Sequence, residues 1–230
     1  MVGLALITLL GTAPHAAAQS VRAFNQRRST FARADAGDTA SRADSIAGFG
    51  TFVGNIHVAS LAEPARAEAW AIQNSAILGD STRAEGEARA ESNGDAAAAG
   101  KSDFQVRFWV QARTGFVLLG HVEARGAMAG AASAVITLLG PGSAVATRTV
   151  ACASDGPSPC TSSDDLFASG ILEPGTYTLE ARSHAEGRSA GAGSQNVTRA
   201  GAQYRVSIQF DGPIVDVGPT TWAKLKSLYR

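Results

Sequence analysis

The sequence predicts an all-β protein with an antiparallel β-sandwich, and two patterns in its 230 residues predict this fold class. Small or apolar residues alternate with polar or charged residues along many segments, as they do in strands with one buried face. Clusters of Gly, Pro, Asp and Ser bound these segments at short intervals, which is typical of sandwiches and barrels. A chain of this length can form such a sandwich as a single domain.

The first element is an apolar run over residues 2–10, followed by a breaker region and three alanines that end at Ala18. Small residues before Gln19 are typical of a secretory cleavage site, so residues 1–18 are predicted to be a signal peptide. The run is too short to span a bilayer. We therefore expect a secreted or cell-surface protein, with the periplasm as an alternative, and no integral membrane segment after signal removal.

Residues 19–211 are expected to form the sandwich domain, with alanine-rich strands over 19–100 and strands with larger core residues over 101–211. The stretch TRAEGEARAES, residues 82–92, shows the alanine-rich pattern best, because Ala or Gly alternates with Arg or Glu. Ala, Glu and Arg also favour helices. A helix with this spacing would scatter its charges on every side and leave no apolar stripe, so a strand is predicted.

The stretch LAEPARAEAWAIQNSAIL, residues 61–78, fits two periods. Its apolar residues recur at helical spacing, and its alanines also alternate with polar residues. Pro64 would be tolerated only in the first turn of a helix. We predict a strand, because the neighbouring segments alternate too.

Strand signals are stronger beyond Lys101, where large apolar residues alternate with polar ones between turn clusters. The predicted strands are 103–113, 116–125, 133–139, 144–151, 166–171, 176–185 and 203–210.

The stretch GILEPGTYTLEA carries the most specific local signal, an L-x-P-G-x-Y motif formed by Leu172, Pro174, Gly175 and Tyr177. Pro and Gly make a turn, and the tyrosine hydroxyl can then bond the backbone of the preceding loop. The motif resembles the tyrosine corner of Ig-like β-sandwich domains. The segment 103–210 is similar to small β-sandwich modules of exported bacterial proteins, such as pre-peptidase C-terminal domains. The resemblance implies an Ig-like or jelly-roll, Greek-key sandwich and assigns no functional residue.

The two cysteines, Cys152 and Cys160, flank the turn-rich stretch CASDGPSPC. An even number of cysteines in an exported chain predicts a disulfide, here one that closes a short loop. A metal or redox pair is the alternative, but both usually use a two-residue spacing.

Residues 212–230 are expected to be a linker and a tail that ends in PTTWAKLKSLYR. Trp222, Leu225 and Leu228 recur at helical spacing, so a short C-terminal helix is predicted. The tail resembles endings of some exported bacterial proteins, which would make it a sorting or docking element. We favour a terminal helix that packs on a sheet edge or stays mobile, because short helices seldom persist alone.

Several function classes find little support in the sequence. The formal net charge is zero, which argues against nucleic acid as a partner. His57, His121 and His184 stand in no catalytic or metal-binding spacing and are interpreted as solvated. The pair Asp164-Asp165 is half of what a glycosidase needs, but an adjacent pair in a loop is more often a turn or a cap. Calcium bound by these residues with Asp155 is a weaker alternative. We expect no catalytic residue, no metal and no cofactor.

The stretch DFQVRFWVQAR, residues 103–113, places Trp109 on the polar side of a strand with Gln105, Arg107 and Gln111. An indole beside amide and guanidinium donors forms a surface that can stack on a sugar ring. The alternative is that the alanine-rich strands or the tail cover this face, and then Trp109 belongs to the core. Trp70 shares the ambiguity.

The function predicted is an exported, non-catalytic module with a structural, adhesive or weak binding role, whose partner is a polysaccharide or a surface protein. A carbohydrate-binding module that uses an exposed tryptophan is the first alternative. A polysaccharide-active enzyme is the second.

Overall fold

A computed structural model describes residues 21–78, 80–154, 158–189 and 197–211, and the backbone of 214–216. The predicted signal peptide and the predicted C-terminal helix lie outside these residues. All regular structure within them is β-strand, as the alternation predicts. None of the described segments forms a helix with the length and apolarity that crossing a membrane requires.

The strands follow one another closely along the chain. In order they are β1 (Val21–Ala36), β2 (Asp38–Ile46), β3 (Thr51–Ala62), β4 (Ala65–Ile77), β5 (Ser81–Asn93), β6 (Ala96–Val110), β7 (Thr114–Ala127), β8 (Gly130–Leu139), β9 (Ala144–Ala153), β10 (Cys160–Leu172), β11 (Gly175–Ser189), β12 (Thr198–Phe210) and β13 (Ile214–Asp216).

The strands form two sheets that pack face to face as a β-sandwich. Sheet A has the order β13-β1-β6-β11-β8-β9, and β2 also pairs with β1. Sheet B has the order β10-β7-β12-β5-β4-β3. Neighbouring strands are antiparallel apart from β13, which runs parallel to β1. The parts 19–100 and 101–211 share both sheets, because β1 pairs with β6 and β5 pairs with β12.

Each segment predicted as a strand lies wholly or mostly in a strand of the structure, and the ambiguous stretch 61–78 contains β4. Two boundaries correct the sequence interpretation. Asp164 and Asp165 lie within β10 rather than in a turn, because this strand begins at Cys160. The strand that carries Trp109 ends at Val110, so Gln111 lies in the connection to β7.

Small core residues lie toward one end of the strands and large core residues lie toward the other end. Within β6, for example, Ala98 precedes Phe104 and Phe108, and all three side chains point into the sandwich. We call the two halves of the sandwich the alanine end and the aromatic end. The core of the alanine end is mainly Ala32, Ala34, Ala67, Ala69, Ala88, Ala90, Ala98, Ala185, Ala200 and Ala202. The core of the aromatic end is mainly Phe104, Phe108, Phe116, Leu118, Leu138, Tyr177, Leu179, Val206, Ile208 and Phe210.

A buried polar belt separates the two ends. Gln73 of sheet B donates from Nε2 to the Tyr204 hydroxyl at 2.8 Å and to the Asp103 carbonyl of sheet A at 2.7 Å. The Tyr204 hydroxyl also lies 3.3 Å from the Ser102 hydroxyl. Burial raises the pKa of Tyr204, so its hydroxyl stays protonated. These bonds satisfy the amide nitrogen of Gln73 and the hydroxyl of Tyr204, which would be costly to leave unpaired in the core.

Gly100 lets the two sheets approach closely at the alanine end. A Cβ added to Gly100 would lie 2.4 Å from the carbonyl oxygen of Trp70 and 2.8 Å from that of Arg89, both on sheet B. No side chain fits between the sheets at this position. The alanine-rich strands therefore pack backbone against backbone, which is one use of glycine within a strand.

Arg28 is fully buried and joins β1 to the connection between β2 and β3. Its guanidinium donates to the carbonyl of Gly50 at 2.8 Å and to that of Gly48, and it lies 5.8 Å from the centroid of the Phe52 ring. Burial lowers the pKa of Arg28. Its polar partners are these two backbone carbonyls and the side-chain amide oxygen of Gln26, which accepts from Nε at 2.7 Å.

Two features close the sandwich where the chain passes between the sheets. Tyr177 donates from its hydroxyl to the Glu173 carbonyl at 3.0 Å, where the chain crosses from β10 in sheet B to β11 in sheet A. Cys152 and Cys160 form a disulfide, as predicted, and it joins the edge strand β9 of sheet A to the edge strand β10 of sheet B. The bond closes a loop and also ties the two sheets together.

Candidate binding surfaces

Three of the four residues predicted to form a binding strip lie together on the outer face of sheet A. Gln105, Arg107 and Trp109 occupy successive outward positions of β6. Gln111 lies beyond the end of that strand and has a partner of its own. The alternation therefore places the first three correctly and does not extend to the fourth.

Trp109 lies on the open side of the sheet. Its neighbours in register are Arg22 on β1 and Thr176 on β11, and its side chain is 48% exposed. The alanine-rich strands do not cover it, since β1 pairs beside β6 in the same sheet and β3, β4 and β5 belong to the other sheet. The tail, the other cover considered, lies outside the described residues.

Phe24 is a second aromatic residue on this surface that the sequence interpretation missed. A register shift between Ala23 and Asn25 marks a bulge in β1, and Phe24 is 41% exposed there. The Arg107 guanidinium carbon lies 5.6 Å from the centroid of its ring. Alternation counted from Val21 through Ala23 would have placed Phe24 outward. We call Phe24, Gln105, Arg107 and Trp109 the aromatic strip.

The polar side of the aromatic strip continues into a charged network. Gln105 donates from Nε2 to the Glu180 carboxylate on β11. Arg182 donates to the other oxygen of Glu180 at 3.1 Å, and Lys101 lies 2.9 Å from the Asp103 carboxylate. The bond from Gln105 to Glu180 joins neighbouring strands and fixes Gln105 on the sheet face, while Arg107 lies against an aromatic ring.

On the outer face of sheet B, unlike that of sheet A, the tryptophan is stacked against a histidine ring. The rings of Trp70 and His57 are nearly parallel, with centroids 4.7 Å apart. His57 therefore covers one face of the indole, and its Nε2 lies 3.5 Å from the Glu68 carboxylate. Trp70 offers less free ring surface than Trp109.

The histidines and the acidic pair that the sequence singled out are distributed over exposed strands. His121 Nδ1 lies 2.7 Å from Asp165 Oδ1, and Arg148 Nε lies 3.2 Å from Asp164 Oδ2. His184 lies 3.9 Å from the Glu186 carboxylate. Among the residues that the structure describes, no group of three or more His, Cys, Asp or Glu side chains is placed to hold a metal ion.

Comparison with known proteins adds little to this geometry. No protein-family model matches the chain, and no curated protein matches it. One solved structure that aligns with it is the structure of infectious bursal disease virus Gx strain, at 9% identity and a TM-score of 0.25. The alignment covers 83% of this chain and 58% of that chain, so this chain spans less than two thirds of the viral one.

Proposed function

We propose that this chain is an exported, non-catalytic β-sandwich module with an adhesive role, which binds a polysaccharide weakly through the aromatic strip. The observation that carries the proposal is the exposure of Trp109, which keeps 48% of its surface on the outer face of a central strand. Phe24 adds a second exposed aromatic ring to the same sheet face, and a group of exposed apolar side chains with polar neighbours is typical of a binding site.

The chemistry of the aromatic strip suits sugar rings. The C–H face of a pyranose can stack on the flat indole of Trp109 or on the ring of Phe24. Arg107 lies against Phe24, and its guanidinium can donate hydrogen bonds to hydroxyl groups beside the stacked ring. Because the strip lies on a sheet face rather than in a cleft, a polymer chain could cross it without being enclosed.

Three features support export. The first 18 residues have a signal-peptide pattern. The disulfide between Cys152 and Cys160 is of the kind that persists in oxidising compartments. The resemblance of the LEPGTYTLEA segment to Ig-like and pre-peptidase C-terminal-type modules suggests the same setting, at the cell surface or in the secreted fraction. A surface protein is the alternative partner.

A pull-down on insoluble cellulose, chitin and xylan tests this proposal, with Trp109→Ala as the main variant. We expect the wild type to be retained on at least one polymer and Trp109→Ala to bind about tenfold more weakly, which corresponds to roughly 1.4 kcal/mol. Phe167→Ala is the matched control, because Phe167 is a 69% exposed aromatic on the other sheet. The proposal fails if the wild type binds no polymer, or if Trp109→Ala binds as well as the control.

A further inference from the structure

A groove of about 540 Å³ lies on the outer face of sheet B, at the alanine end. Its floor is Gly201, near the start of β12. Arg89 on β5 and Arg125 on β7 are the register partners of Gly201 on its two sides. Arg199, two residues before Gly201 on the same strand, also lines the groove.

The packing of the protein does not explain why residue 201 is glycine. Its φ is not positive, so any residue could adopt its backbone conformation. A Cβ added there would meet nothing within 4 Å, whereas one added to Gly86 would lie 2.3 Å from the Tyr204 ring. A glycine inside a strand costs about 0.5–1 kcal/mol of stability. What Gly201 contributes is the open space between two arginines.

The arginines around Gly201 are held by carboxylates through one atom each. Nε of Arg89 bonds Glu87, and Nε of Arg125 bonds Glu123. Nε of Arg199 lies 3.6 Å from Glu91. The three guanidinium side chains are 61%, 68% and 67% exposed, in the same order. Because most of each side chain is exposed, the terminal amino groups are accessible to a ligand.

Glu123 gives the groove a rigid side. Its side chain faces outward, yet the residue is only 9% exposed, because Arg125 and Gln203 both donate to its carboxylate. Burial by itself would raise the pKa of Glu123, but these hydrogen bonds and the positive charge of Arg125 outweigh burial and lower it. The ionised carboxylate fixes Arg125 beside the space above Gly201, so little side-chain freedom remains to be lost when a ligand binds.

The spacing and the charges define a class of ligand. Two guanidinium groups flank the space from strands whose axes are about 10 Å apart, and guanidinium forks bind carboxylate or sulfate oxygens in pairs. The glutamates balance the arginines, and the chain as a whole has zero net charge, so the groove is suited to one anionic residue of a polymer rather than to the summed charge of the whole polymer. The ligand that fits is a sugar ring that carries one carboxylate or sulfate into the space between the two arginines.

We propose that the groove over Gly201 binds an anionic sugar residue of a polysaccharide, with its carboxylate or sulfate between Arg89 and Arg125. The groove lies on the opposite sheet from Trp109, so this site is separate from the aromatic strip and does not depend on it. Polygalacturonate provides the carboxylate and heparin provides the sulfate. Dextran is the neutral reference.

Filling the groove is the sharpest test, because Gly201→Val adds a side chain whose Cβ meets nothing within 4 Å and which suits a strand. We expect Gly201→Val to melt at the same temperature as the wild type or higher, and to bind immobilised polygalacturonate or heparin at least tenfold more weakly. Ser207→Val is the matched control, since it is an outward substitution on the same strand outside the groove. It should bind like the wild type.

Single substitutions that each remove one positive charge provide a second test. Arg89→Gln and Arg125→Gln should each weaken binding several-fold and reduce its dependence on salt, while Arg83→Gln, outward on the same β5, should not. Trp109→Ala should leave this binding unchanged, which separates this proposal from the previous one. The inference is overturned if the wild type binds neither anionic polymer better than dextran at 50 mM salt. It is equally overturned if Gly201→Val and Arg125→Gln bind as the wild type does.

Discussion

The aromatic end and the alanine end of this sandwich are built on the same strands but are stabilised in different ways. At the aromatic end, Phe108 stacks with Tyr177 at 5.8 Å and meets Phe210 edge-on at 5.0 Å between ring centroids. At the alanine end, Gly100 lets backbone meet backbone. The first arrangement gains mainly from buried side-chain area. The second gains from close contact between main chains and cannot absorb added volume.

The two ends also differ on their outer faces. The exposed Trp109 lies at the aromatic end of sheet A. The groove over Gly201, with its ring of arginines and glutamates, lies at the alanine end of sheet B. Each candidate binding surface is thus supported from behind by a different kind of core, and the two can be disturbed independently.

The largest difference between the ends should appear when side chains are truncated. Phe108→Ala removes a buried ring and its two aromatic contacts, so we expect the free energy of unfolding to fall by about 3–5 kcal/mol. Ala98→Gly, on the inner face of the same strand, should cost only about 1 kcal/mol, from one methyl group and added backbone freedom. Urea unfolding followed by fluorescence measures both. Equal losses would contradict the proposed difference.

Added side-chain volume, in contrast to truncation, should destabilise the alanine end strongly. Gly100→Ala places a methyl group 2.4 Å from a carbonyl oxygen of the other sheet, so the sheets must separate locally. We expect a loss of about 1–3 kcal/mol in unfolding free energy, the usual cost of overpacking. Gly142→Ala is the control, because a Cβ there meets nothing within 4 Å. If both variants melt within a degree of the wild type, the inference that the sheets are too close at Gly100 to accept a methyl group is wrong.

Period-two alternation predicted the all-β class and the strands over 61–78, 82–92 and the segments beyond Lys101. The segment 82–92 has small residues inward and charges outward, and β5 has that arrangement. The cysteine spacing predicted the disulfide, and the hydroxyl of Tyr177 bonds the preceding loop as the motif suggests. These features depend on local sequence, where the physical rule acts within a few residues.

Features that depend on strand pairing could not be predicted in this way. Nothing local shows that Gly201 lies between Arg89 and Arg125, because these residues come from three strands that are distant in the chain. An isolated glycine in a strand suggests a close approach, but the sequence does not say that Gly100 meets the backbone of β4 and β5. The exposure of Trp109 likewise depended on which strands cover β6.

The smallest expected effect concerns acid stability on the outer face of the alanine end. The pKa of Glu123 is lowered in the fold, so its ionised form stabilises the protein above its ordinary pKa of about 4.3. That contribution is lost as the pH falls through the lower, folded value. Glu123→Gln should therefore be less stable than the wild type near pH 7, by up to about 1 kcal/mol because Arg125 is largely exposed, and the gap should narrow below pH 4.

Melting temperatures measured between about pH 3 and pH 7, a range that brackets the ordinary glutamate pKa, test this sign. The matched control is Glu85→Gln, on the same face of sheet B, where the carboxylate is 57% exposed and pairs with Arg205 at 2.9 Å. Water and salt screen that pair, so its removal should change the acid limb of the stability curve very little. If the difference in melting temperature between Glu123→Gln and the wild type is the same at every pH, the charge of the Glu123 carboxylate does not contribute to stability. The carboxylate would then act only as a hydrogen-bond acceptor, and its charge would not hold Arg125 beside the groove.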